Sequence, residues 1–461
     1  METVLIVGGG INGLSAAHEL QKWKNANNRD IRIILIEAQN HLGGKIKTVE
    51  ADGFMMETGA DSIVSRKVMG REIFSELNLS DEVVYNGTGR SYLFTDGEIK
   101  PIPVDAVFGI PTSIESLAKT TLVSAEGKVR ALKDVYHHKN PFTVEDSIGD
   151  FLTYYFGEEL VEKQIAPVLS GVYSGKLQDL TISSTLPAVF EYKKKYGSII
   201  MGFNDHKEKY QSSGERKFLS FKNGLSTIID AYEKSLGAVE IKKGYEAQSI
   251  QKVKQHYKVS FSNGEVMKAD HIVLSTPHQV AQQLLDDAAL NQYFSNMKNS
   301  SLISVYIGFD VPDAVLPKDG TGFITSSNNE LHCNACTWTS RKWKHTSKSG
   351  NLLVRLFYKS SHPSFASVKD MEDTGLLDLA REDLQKSLKL TAEPIVWEIT
   401  KWNELMPTYT LDHPHLIKGI EQTLIEKYPG VYIAGSSYYG SGIPDCMENG
   451  IEVARRITAT L

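Results

Sequence analysis

The feature that most constrains this chain is a glycine-rich turn close to its start. The branched, apolar run at residues 3–7 (TVLIV) is typical of a buried parallel strand, and it leads directly into GGGING at residues 8–13. A helical pattern of apolar residues follows, and a second apolar run at 31–36 ends in Glu37. The order strand, turn, helix, strand predicts the first unit of an α/β fold that binds a dinucleotide.

Each glycine of the turn has its own expected role. Gly8 permits the tight turn, Gly10 lets the backbone approach a pyrophosphate, and Gly13 lets the helix pack closely on the strand. The N-terminus of that helix directs its partial positive charge towards the phosphates. Glu37 lies slightly beyond the roughly 20 residues at which an acid binds the ribose hydroxyls. An acid there favours a free ribose and disfavours the phosphate of NADP.

Further glycine turns distinguish FAD from a nicotinamide cofactor. Gly43-Gly44-Lys45 follows the second strand, and GADS at 59–62 offers another turn where backbone amides meet a flavin. Near the other end, GSGIPD at 440–445 follows a predicted strand and opens a helix whose first turn suits Pro444. A helix N-terminus at the pyrimidine edge of a flavin would stabilise the negative charge that develops there on reduction. The order of these turns favours FAD.

Composition excludes several classes of protein. The net charge of −6 lacks the basic bias of a nucleic-acid binder. The longest apolar runs, such as 31–36, are far short of the roughly 20 residues that span a bilayer, so we expect no transmembrane segment. We expect no secretory signal either, since residues 1–7 run straight into a strand. Sparse cysteines favour a reducing, cytoplasmic compartment.

Two of the cysteines, Cys333 and Cys336, match the CxxC spacing of zinc or redox sites. They lie in a strand-like run, 331–338, where residues three apart face opposite sides of a sheet. No second pair lies nearby, so we interpret them as structural thiols and expect no metal site.

The remaining periodicities predict a division of the 461 residues into five pieces. Residues 1–65, 201–290 and 411–461 assemble an FAD-binding domain, 66–200 form a helical inserted subdomain, and 291–410 form a substrate-binding domain with a mixed sheet. Within these pieces we predict a helix at 218–236 and a hairpin over 257–275 that turns at Ser262-Asn263-Gly264. The predicted fold class is α/β (α+β overall), with a Rossmann-like FAD-binding domain.

The combination of GGGINGL, EAQNHLGGKI and GADS near the front with GSGIPDC near the end resembles the flavin-containing amine oxidase superfamily. Within it, SGVYSG at 170–175, ACTWT at 335–339, KW at 342–343 and MPTY at 406–409 resemble the soluble porphyrinogen oxidases of Gram-positive bacteria. That family oxidises coproporphyrinogen III to coproporphyrin III and was formerly called protoporphyrinogen oxidase. The resemblance covers essentially the whole chain, and it implies an FAD-binding domain of amine oxidase type.

Matched motif by motif, the resemblance implies a set of FAD contacts: Gly8, Gly9, Gly10, Ile11, Asn12, Gly13, Glu37, Ala38, Gly44, Lys45, Gly59, Ala60, Asp61, Ser62, Ala247, Trp402, Ile443, Pro444 and Asp445. Two positions depart from the family pattern. His41 stands where an arginine is common, which puts a direct cationic contact to the phosphates in doubt. Lys401 replaces the arginine often seen before Trp402, and it keeps the charge without the bidentate fork.

The resemblance also implies the reaction, in which hydride equivalents leave the saturated bridges of a tetrapyrrole for FAD and dioxygen is reduced to hydrogen peroxide. The sequence identifies no dedicated general base. The propionates of such a substrate call for cations; Lys67 matches a basic position of the family's pocket, and Arg66 is a weaker candidate. Either residue could instead be a solvated surface charge. Val172, Tyr173 and Phe323 are candidates to line the apolar cleft, although aromatic residues are more often core.

Alternative functions stay open at this point. One is another flavoenzyme of the same fold, an amine oxidase or a carotenoid-type desaturase, and another is a flavin-binding redox sensor without turnover. The expected partners of the favoured function are a tetrapyrrole and dioxygen, and transient docking with other haem-pathway enzymes is a further hypothesis.

Overall fold

The computed structural model describes residues 1–70, 72–87, 90–103, 105–172, 176–210, 217–326 and 330–461, without the side chains of residues 170–172 and 209. A parallel sheet of five strands forms its nucleotide-binding region: β1 (Glu2–Val7), β2 (Ile31–Glu37), β12 (Glu240–Lys243), β16 (His271–Leu274) and β22 (Val431–Ile433). The strands run in the order β12-β2-β1-β16-β22. In register, Val7 lies opposite both Ile36 and Leu274, so the central strands end together.

Both faces of this sheet are covered, as its apolar strands require. Val4 and Ile6 face one cluster, and Leu5 and Val7 face the other, because successive residues of a strand point to opposite sides. The first face packs against α1 (Ile11–Asn27), α13 (Ser226–Ser235) and α20 (Ile443–Thr458). The second packs against α14 (His278–Leu285), α15 (Ala288–Phe294), α19 (His413–Lys427) and the antiparallel strands β13 (Ala247–Val253), β14 (His256–Phe261) and β15 (Val266–Ala269).

A mixed sheet of seven strands forms the second region: β7 (Arg90–Thr95), β8 (Glu98–Pro101), β17 (Lys298–Pro312), β18 (Gly320–Thr325), β19 (Ala335–Trp338), β20 (Asn351–Lys359) and β21 (Pro394–Thr408). Their order is β21-β17-β20-β19-β18-β7-β8. The helix α18 (Asp373–Leu388) covers one face of this sheet, and the apolar side chains of the helix and of that face form one core. Two short helices, α16 (Thr339–Lys342) and α17 (Phe365–Val368), lie in the connections.

A helical region has a core of its own. Its helices are α3 (Ile114–Lys119), α4 (Ala125–Ala131), α5 (Lys133–Tyr136), α6 (Ile148–Phe156), α7 (Glu158–Leu160), α8 (Ala166–Val172), α9 (Ile182–Thr185), α10 (Pro187–Tyr196), α11 (Ile199–Asp205) and α12 (Lys207–Tyr210). Leu93 and Ile324 of the seven-stranded sheet pack with this core. The helical region therefore contacts the side of that sheet opposite α18.

Short elements join the regions. The hairpin β3 (Thr48–Ala51) and β4 (Phe54–Glu57) leads to β5 (Ile63–Val64), which pairs with β11 (Phe218–Phe221), and β11 pairs on its other side with β6 (Val83–Tyr85). The helix α2 (Ile73–Glu76) and the strand pair β9 (Ala106–Val107) and β10 (Ile110–Pro111) complete the described elements, together with short 3₁₀ and π turns. Among the described helices, none has the length and apolarity to cross a bilayer.

The predicted fold class is confirmed, and the secondary structure corrects three details. Residues 218–221 are a strand, because Phe218 and Leu219 pair with β5, and the helix predicted at 218–236 begins only at Ser226. The predicted helical subdomain at 66–200 includes β6, β7 and β8, and the last two belong to the seven-stranded sheet. The predicted hairpin ends at Ala269, since 271–274 join the parallel sheet. The last helix, Ile443–Thr458, has Pro444 in its first turn as predicted, and the five domain boundaries stay a prediction.

Candidate functional site

The strands of the parallel sheet end at one edge, and the predicted cofactor residues meet there. Gly8 follows β1 and donates its N–H to Ile36 O at 2.9 Å. Ser275 follows β16 and donates to Val7 O at 2.9 Å, and Ala434 follows β22 and donates to Leu274 O at 3.0 Å. A crevice at the carboxyl edge of a parallel sheet is where ligands bind in open α/β folds.

The geometry of the glycine turn agrees with the predicted roles. A Cβ added at Gly8 would lie 2.4 Å from Ser275 O, and one at Gly13 would lie 2.1 Å from Gly8 O, so neither position has room for a side chain. A Cβ at Gly10 would meet nothing within 4 Å. Gly10 is also the N-cap of α1 and makes no side-chain capping bond. The first turn of α1 thus opens onto free space beside Gly10, where its N–H groups can bind a phosphate.

Glu37 lies at the same edge and supports the turn. Its Oε2 accepts the N–H of Gly9 at 2.8 Å, and its Oε1 accepts the N–H of Gln39 at 2.9 Å. Each carboxylate oxygen keeps a lone pair for a ribose hydroxyl. Tyr245 donates its N–H to Glu37 O at 2.9 Å, which brings the start of β13, and with it Ala247, to the end of the crevice where Glu37 lies.

The other predicted turns form one continuous wall. Gly43 donates its N–H to Gly9 O at 2.9 Å, and Ala60 donates to Lys45 O at 3.0 Å. A Cβ at Gly59 would lie 2.0 Å from Lys45 O and 3.4 Å from Cζ2 of Trp402. The segments 43–45 and 59–62 and Trp402 are therefore in contact, although they are far apart in the chain.

The last predicted segment lies beside the first. Asn12 donates from Nδ2 to Cys446 O and to Asn449 Oδ1, both at 2.8 Å, and Asn449 Oδ1 also accepts the N–H of Gly435 at 2.9 Å. A Cβ at Gly450 would lie 2.3 Å from Asn12 O, so α1 and α20 pack closely. Like α1, α20 has a glycine N-cap without a side-chain bond. The N-termini of α1 and α20 thus lie at the same edge of the parallel sheet. The side chain of Asn12 connects the two helices through its hydrogen bonds to α20.

Charged groups surround the turn at 59–62. Lys342 donates from Nζ to Asp61 Oδ2 at 2.8 Å. Burial acts to raise the pKa of Asp61, but the charges of Lys342 and Arg355 outweigh it and hold that pKa well below its usual range. Burial raises the pKa of Glu57 to about 7 and lowers that of Lys45 to about 8. Lys45 donates from Nζ to Leu405 O, next to Trp402 on β21.

Comparison with known proteins decides the family. Residues 11–458 match the model of the flavin containing amine oxidoreductases. The chain belongs to this family. A coproporphyrinogen III oxidase of Bacillus subtilis is 34% identical over 97% of this chain and 96% of its own length, and one of Staphylococcus aureus is 31% identical over the full length of both. The predicted resemblance to this branch is confirmed.

Solved structures agree with that assignment. A crystal structure of an Exiguobacterium protein, provisionally named protoporphyrinogen oxidase, superposes with a TM-score of 0.90 at 30% identity and covers 100% of this chain and 99% of its own. Putrescine oxidase superposes over the full chain with a TM-score of 0.70 but is 14% identical, so it shows the fold alone.

FAD is the cofactor of this family, and the residues at the crevice fit it. Three N–H groups of the turn, those of Gly59, Asp61 and Ser62, have no acceptor in the described part of the chain. The hydroxyl of Thr276 is buried without a partner there, and its Cγ2 lies 3.5 Å from the Cβ position of Gly8. Such unmade bonds are costly unless a ligand completes them. Thr276 was missed from the sequence because residues 257–275 were assigned to one hairpin.

Of the two positions that depart from the family pattern, Lys401 directs its ammonium away from the crevice. Lys401 donates from Nζ to Met371 O at 2.7 Å and lies 3.5 Å from Asp373, at the start of α18. That contact directs its ammonium towards the α18 side of the sheet. His41 is an exposed side chain.

The substrate-side predictions fare differently from one another. Lys67 lies at the cofactor site, with Nζ 2.7 Å from both carboxylate oxygens of Asp445, while Arg66 is exposed. The structure contradicts the prediction that Phe323 lines the apolar cleft. Phe323 is 2% exposed and packs with Phe94 in the core beneath α18, on the face of the sheet opposite the helical region. The side chain of Val172 and all of Tyr173 lie outside the described residues.

The burial of two cysteines agrees with their interpretation as structural thiols. Cys333 and Cys336 are buried and free, and burial raises the pKa of both. Across the described ranges, no group of three or more His, Cys, Asp or Glu side chains could hold a metal ion.

Proposed function

We propose that this protein is an FAD-dependent oxidase that converts coproporphyrinogen III to coproporphyrin III in haem biosynthesis, with dioxygen as the acceptor and hydrogen peroxide as the second product. The observation that carries the proposal is similarity along the whole chain to two bacterial proteins of that name, at 34% and 31% identity. The crevice supports it, because the glycine turns that the sequence assigned to FAD meet at one edge of the parallel sheet, and Trp402 of the seven-stranded sheet contacts Thr58 there.

When bound, FAD supplies the two-electron acceptance that the oxidation of each saturated bridge requires. The chain's own residues bind and orient. The α1 N-terminus and Gly10 would hold the phosphates, Glu37 would bind the ribose, and the turn at 59–62 would meet the flavin end together with Trp402. Oxidation of a porphyrinogen to a porphyrin removes six hydrogens, so three rounds consume three molecules of dioxygen and give three of peroxide.

Within the described turn at 59–62, the carboxyl group is a poor proton acceptor. Asp61 is the carboxylate of this turn, and its lowered pKa makes it a weak base at neutral pH. We therefore assign catalysis to binding, orientation and the cofactor, and we propose that protons leave to solvent.

Lys67 is the proposed partner of a substrate propionate. Among the described residues, its ammonium contacts the carboxylate of Asp445, and 44% of the lysine side chain and 34% of the aspartate side chain are exposed. Exposed ion pairs are weak, so a substrate carboxylate can replace Asp445 as the partner of Lys67. Arg66, beside it, is a second candidate.

The decisive experiment compares two substrates under air. The purified protein is mixed with coproporphyrinogen III or protoporphyrinogen IX, and the fluorescence of the porphyrin product is followed together with peroxide. We expect faster turnover of coproporphyrinogen III. Faster turnover of the dicarboxylate would overturn the substrate choice, and a flavin that no porphyrinogen bleaches without oxygen would exclude both substrates and favour a redox sensor or another flavoenzyme of this fold.

We also propose that the protein acts in the cytoplasm. The three cysteines are sparse for a chain of this length, and all three are free. Transient contact with the enzyme that takes up the porphyrin product would suit a reactive product, and we keep it as a hypothesis.

A further inference from the structure

Arg355 is an arginine buried where the seven-stranded sheet meets the cofactor crevice. It lies in the middle of β20, directly opposite Tyr306 of β17, and is 2% exposed. Its guanidinium carbon lies 5.0 Å from the ring centre of Tyr306 and 4.6 Å from that of Phe357. Burying a cation is costly unless its donors are satisfied, so the partners of this guanidinium indicate why it is there.

Its hydrogen bonds go to the turn that meets the flavin. Nη2 donates to Gly59 O at 2.9 Å and to Thr58 O at 3.3 Å, and Nε donates to Ser304 Oγ at 2.7 Å. Within the described ranges, Arg355 forms no ion pair with a carboxylate within 4.0 Å. A guanidinium that donates to two backbone carbonyls, and whose Nε donates to a serine hydroxyl, is suited to fixing a backbone segment.

The turn needs such support from outside. The only backbone bonds that residues 58–62 donate, in the part of the chain that the structure describes, are those of Thr58 to Lys47 O and Ala60 to Lys45 O. On the opposite side, Arg355 and the indole of Trp402, whose Nε1 lies 3.1 Å from Thr58 O, hold the carbonyls. Donation to a carbonyl also polarises its peptide group, which makes the N–H of Gly59 a stronger donor to a ligand.

The charge of Arg355 acts on the same turn. Together with Lys342 it holds the pKa of Asp61 well below its usual range against the effect of burial. The turn therefore carries a fixed negative charge at Asp61 beside free N–H groups, and residues of the seven-stranded sheet and its connections maintain both.

We propose that Arg355 is a positioning residue for FAD. From the seven-stranded sheet, it fixes residues 58–62 so that the amides of this turn meet the flavin. The second region of the molecule thereby contributes to cofactor affinity. The proposal depends on FAD as the cofactor and not on which porphyrinogen is oxidised, so the substrate experiment above can fail without affecting it.

The test measures FAD release from the holoenzyme of the variant Arg355→Leu. A dilution series at 25 °C, read by the fluorescence of released FAD, gives the dissociation constant. Heating followed in parallel by flavin fluorescence and far-UV circular dichroism gives the temperatures of release and unfolding. We expect the dissociation constant to rise about tenfold or more and FAD to leave well below the unfolding temperature.

The matched control is Arg341→Leu. Arg341 also donates to three backbone carbonyls, those of Asp313, Leu316 and Lys318 at 3.1–3.3 Å, but none of them belongs to the cofactor crevice. We expect this variant to unfold at a lower temperature while its FAD affinity is unchanged. Equal dissociation constants for both variants, with release and unfolding at one temperature, would mean that Arg355 is merely structural and would overturn the proposal.

Milder variants keep the test decisive if Arg355→Leu does not fold. Arg355→Lys keeps the charge but lacks the fork that reaches Ser304 and both carbonyls, and we expect a several-fold rise in the dissociation constant. Ser304→Ala removes the acceptor of Nε without touching the turn, and we expect a rise of about twofold. Unchanged FAD affinity in both would also overturn the proposal.

Discussion

Two lysine–aspartate pairs, one in the helical region and one at the cofactor site, show how burial decides what an ion pair does. Lys193 and Asp134 are joined at 3.1 Å with both side chains fully buried. Lys67 and Asp445 are joined at 2.7 Å, but 44% and 34% of their side chains are exposed. The first pair has no competitor for its partners, whereas solvent and ligands reach the second.

The buried pair is a complete hydrogen-bonded unit. Asp134 accepts the hydroxyl of Ser198 at 2.6 Å and the N–H groups of Ile199 and Ile200 at 3.0 Å, which fixes the start of α11. Lys193 lies 3.9 Å from the ring centre of Tyr155. Such a unit is suited to hold α5, α10 and α11 together, while the open pair is suited to exchange partners.

Breaking the buried pair should have the largest effect. Lys193→Met leaves the carboxylate of Asp134 buried without its cation, and we expect a loss of about 3–5 kcal/mol in the free energy of unfolding. The measurement is chemical denaturation, with Lys194→Met, an exposed lysine of the same helix, as the control. The double variant Asp134→Leu/Lys193→Met should lose less than Lys193→Met alone. A single-variant loss below about 1 kcal/mol would contradict the comparison.

Glu57 extends the comparison, since it is a buried carboxyl at the cofactor site without a lysine. It is 5% exposed and accepts the N–H of Leu225 at 2.8 Å and the hydroxyl of Thr48. Burial raises its pKa from 4.5 to about 7 in the folded chain. The folded state thus binds more protons than the unfolded state between these values, and the contribution of Glu57 to stability falls as the pH rises through that window.

The corresponding prediction is that Glu57→Gln removes this pH dependence. Between pH 4.5 and 7 the free energy of unfolding of the wild type should fall by about 2–3 kcal/mol through Glu57, and that of the variant should not. Denaturation curves at several pH values, compared as the difference between the two proteins, isolate the contribution. Parallel pH profiles would show that Glu57 does not titrate in this range.

Lys342 and Asp61 form a pair of intermediate exposure, with 18% and 29% of the side chains accessible. Because the pKa of Asp61 is lowered, its stabilising contribution is present above the unfolded pKa and is lost as the pH falls through the folded value. Lys342→Met raises the folded pKa, so acid should destabilise the variant at a higher pH than the wild type. At pH 5 we expect the free energy of unfolding of the variant to be about 1–2 kcal/mol below that of the wild type.

This acid sensitivity is measured by thermal unfolding at pH 5 and pH 7. Lys344→Met, an exposed lysine in the same connection, is the control and should behave as the wild type. If Lys342→Met and Lys344→Met gave the same profile, Lys342 would not be what keeps Asp61 ionised.

The segments that the sequence assigned to FAD lie together in the structure, and a local pattern could indicate this because those segments are mostly backbone turns. A strand that ends in glycines has few conformations open to it, and Gly8 and Gly13 lack room for any side chain. The order of the turns therefore implied which segments meet. The Lys342–Asp61 pair and the role of Arg355 were missed, since each depends on a contact between distant segments that no local pattern encodes. A lone arginine within the apolar run LLVRLFY was the available signal for Arg355.

The substrate side was predicted less well, for a physical reason that Phe323 illustrates. An aromatic residue in a strand faces one side or the other of the sheet, and period-two alternation does not state which face is the core. The neighbours of Phe323 in the sheet place it beneath α18, with Ile324 on the face towards the helices. Position along the chain alone could not decide between the two.

Lys67→Ala tests the open pair and should have the smallest effect on stability, within about 1 kcal/mol. If Lys67 binds a propionate, its loss should raise the apparent KM for coproporphyrinogen III by about three- to tenfold while FAD occupancy stays near that of the wild type. Lys22→Ala is the matched control, because Lys22 forms a similarly exposed pair with Glu76 at 2.8 Å, away from the crevice. Loss of FAD with an unchanged KM would instead mean that Lys67 supports cofactor binding through Asp445. The Lys67–Asp445 pair would then be a structural pair like Lys193–Asp134, and the two would differ only in exposure.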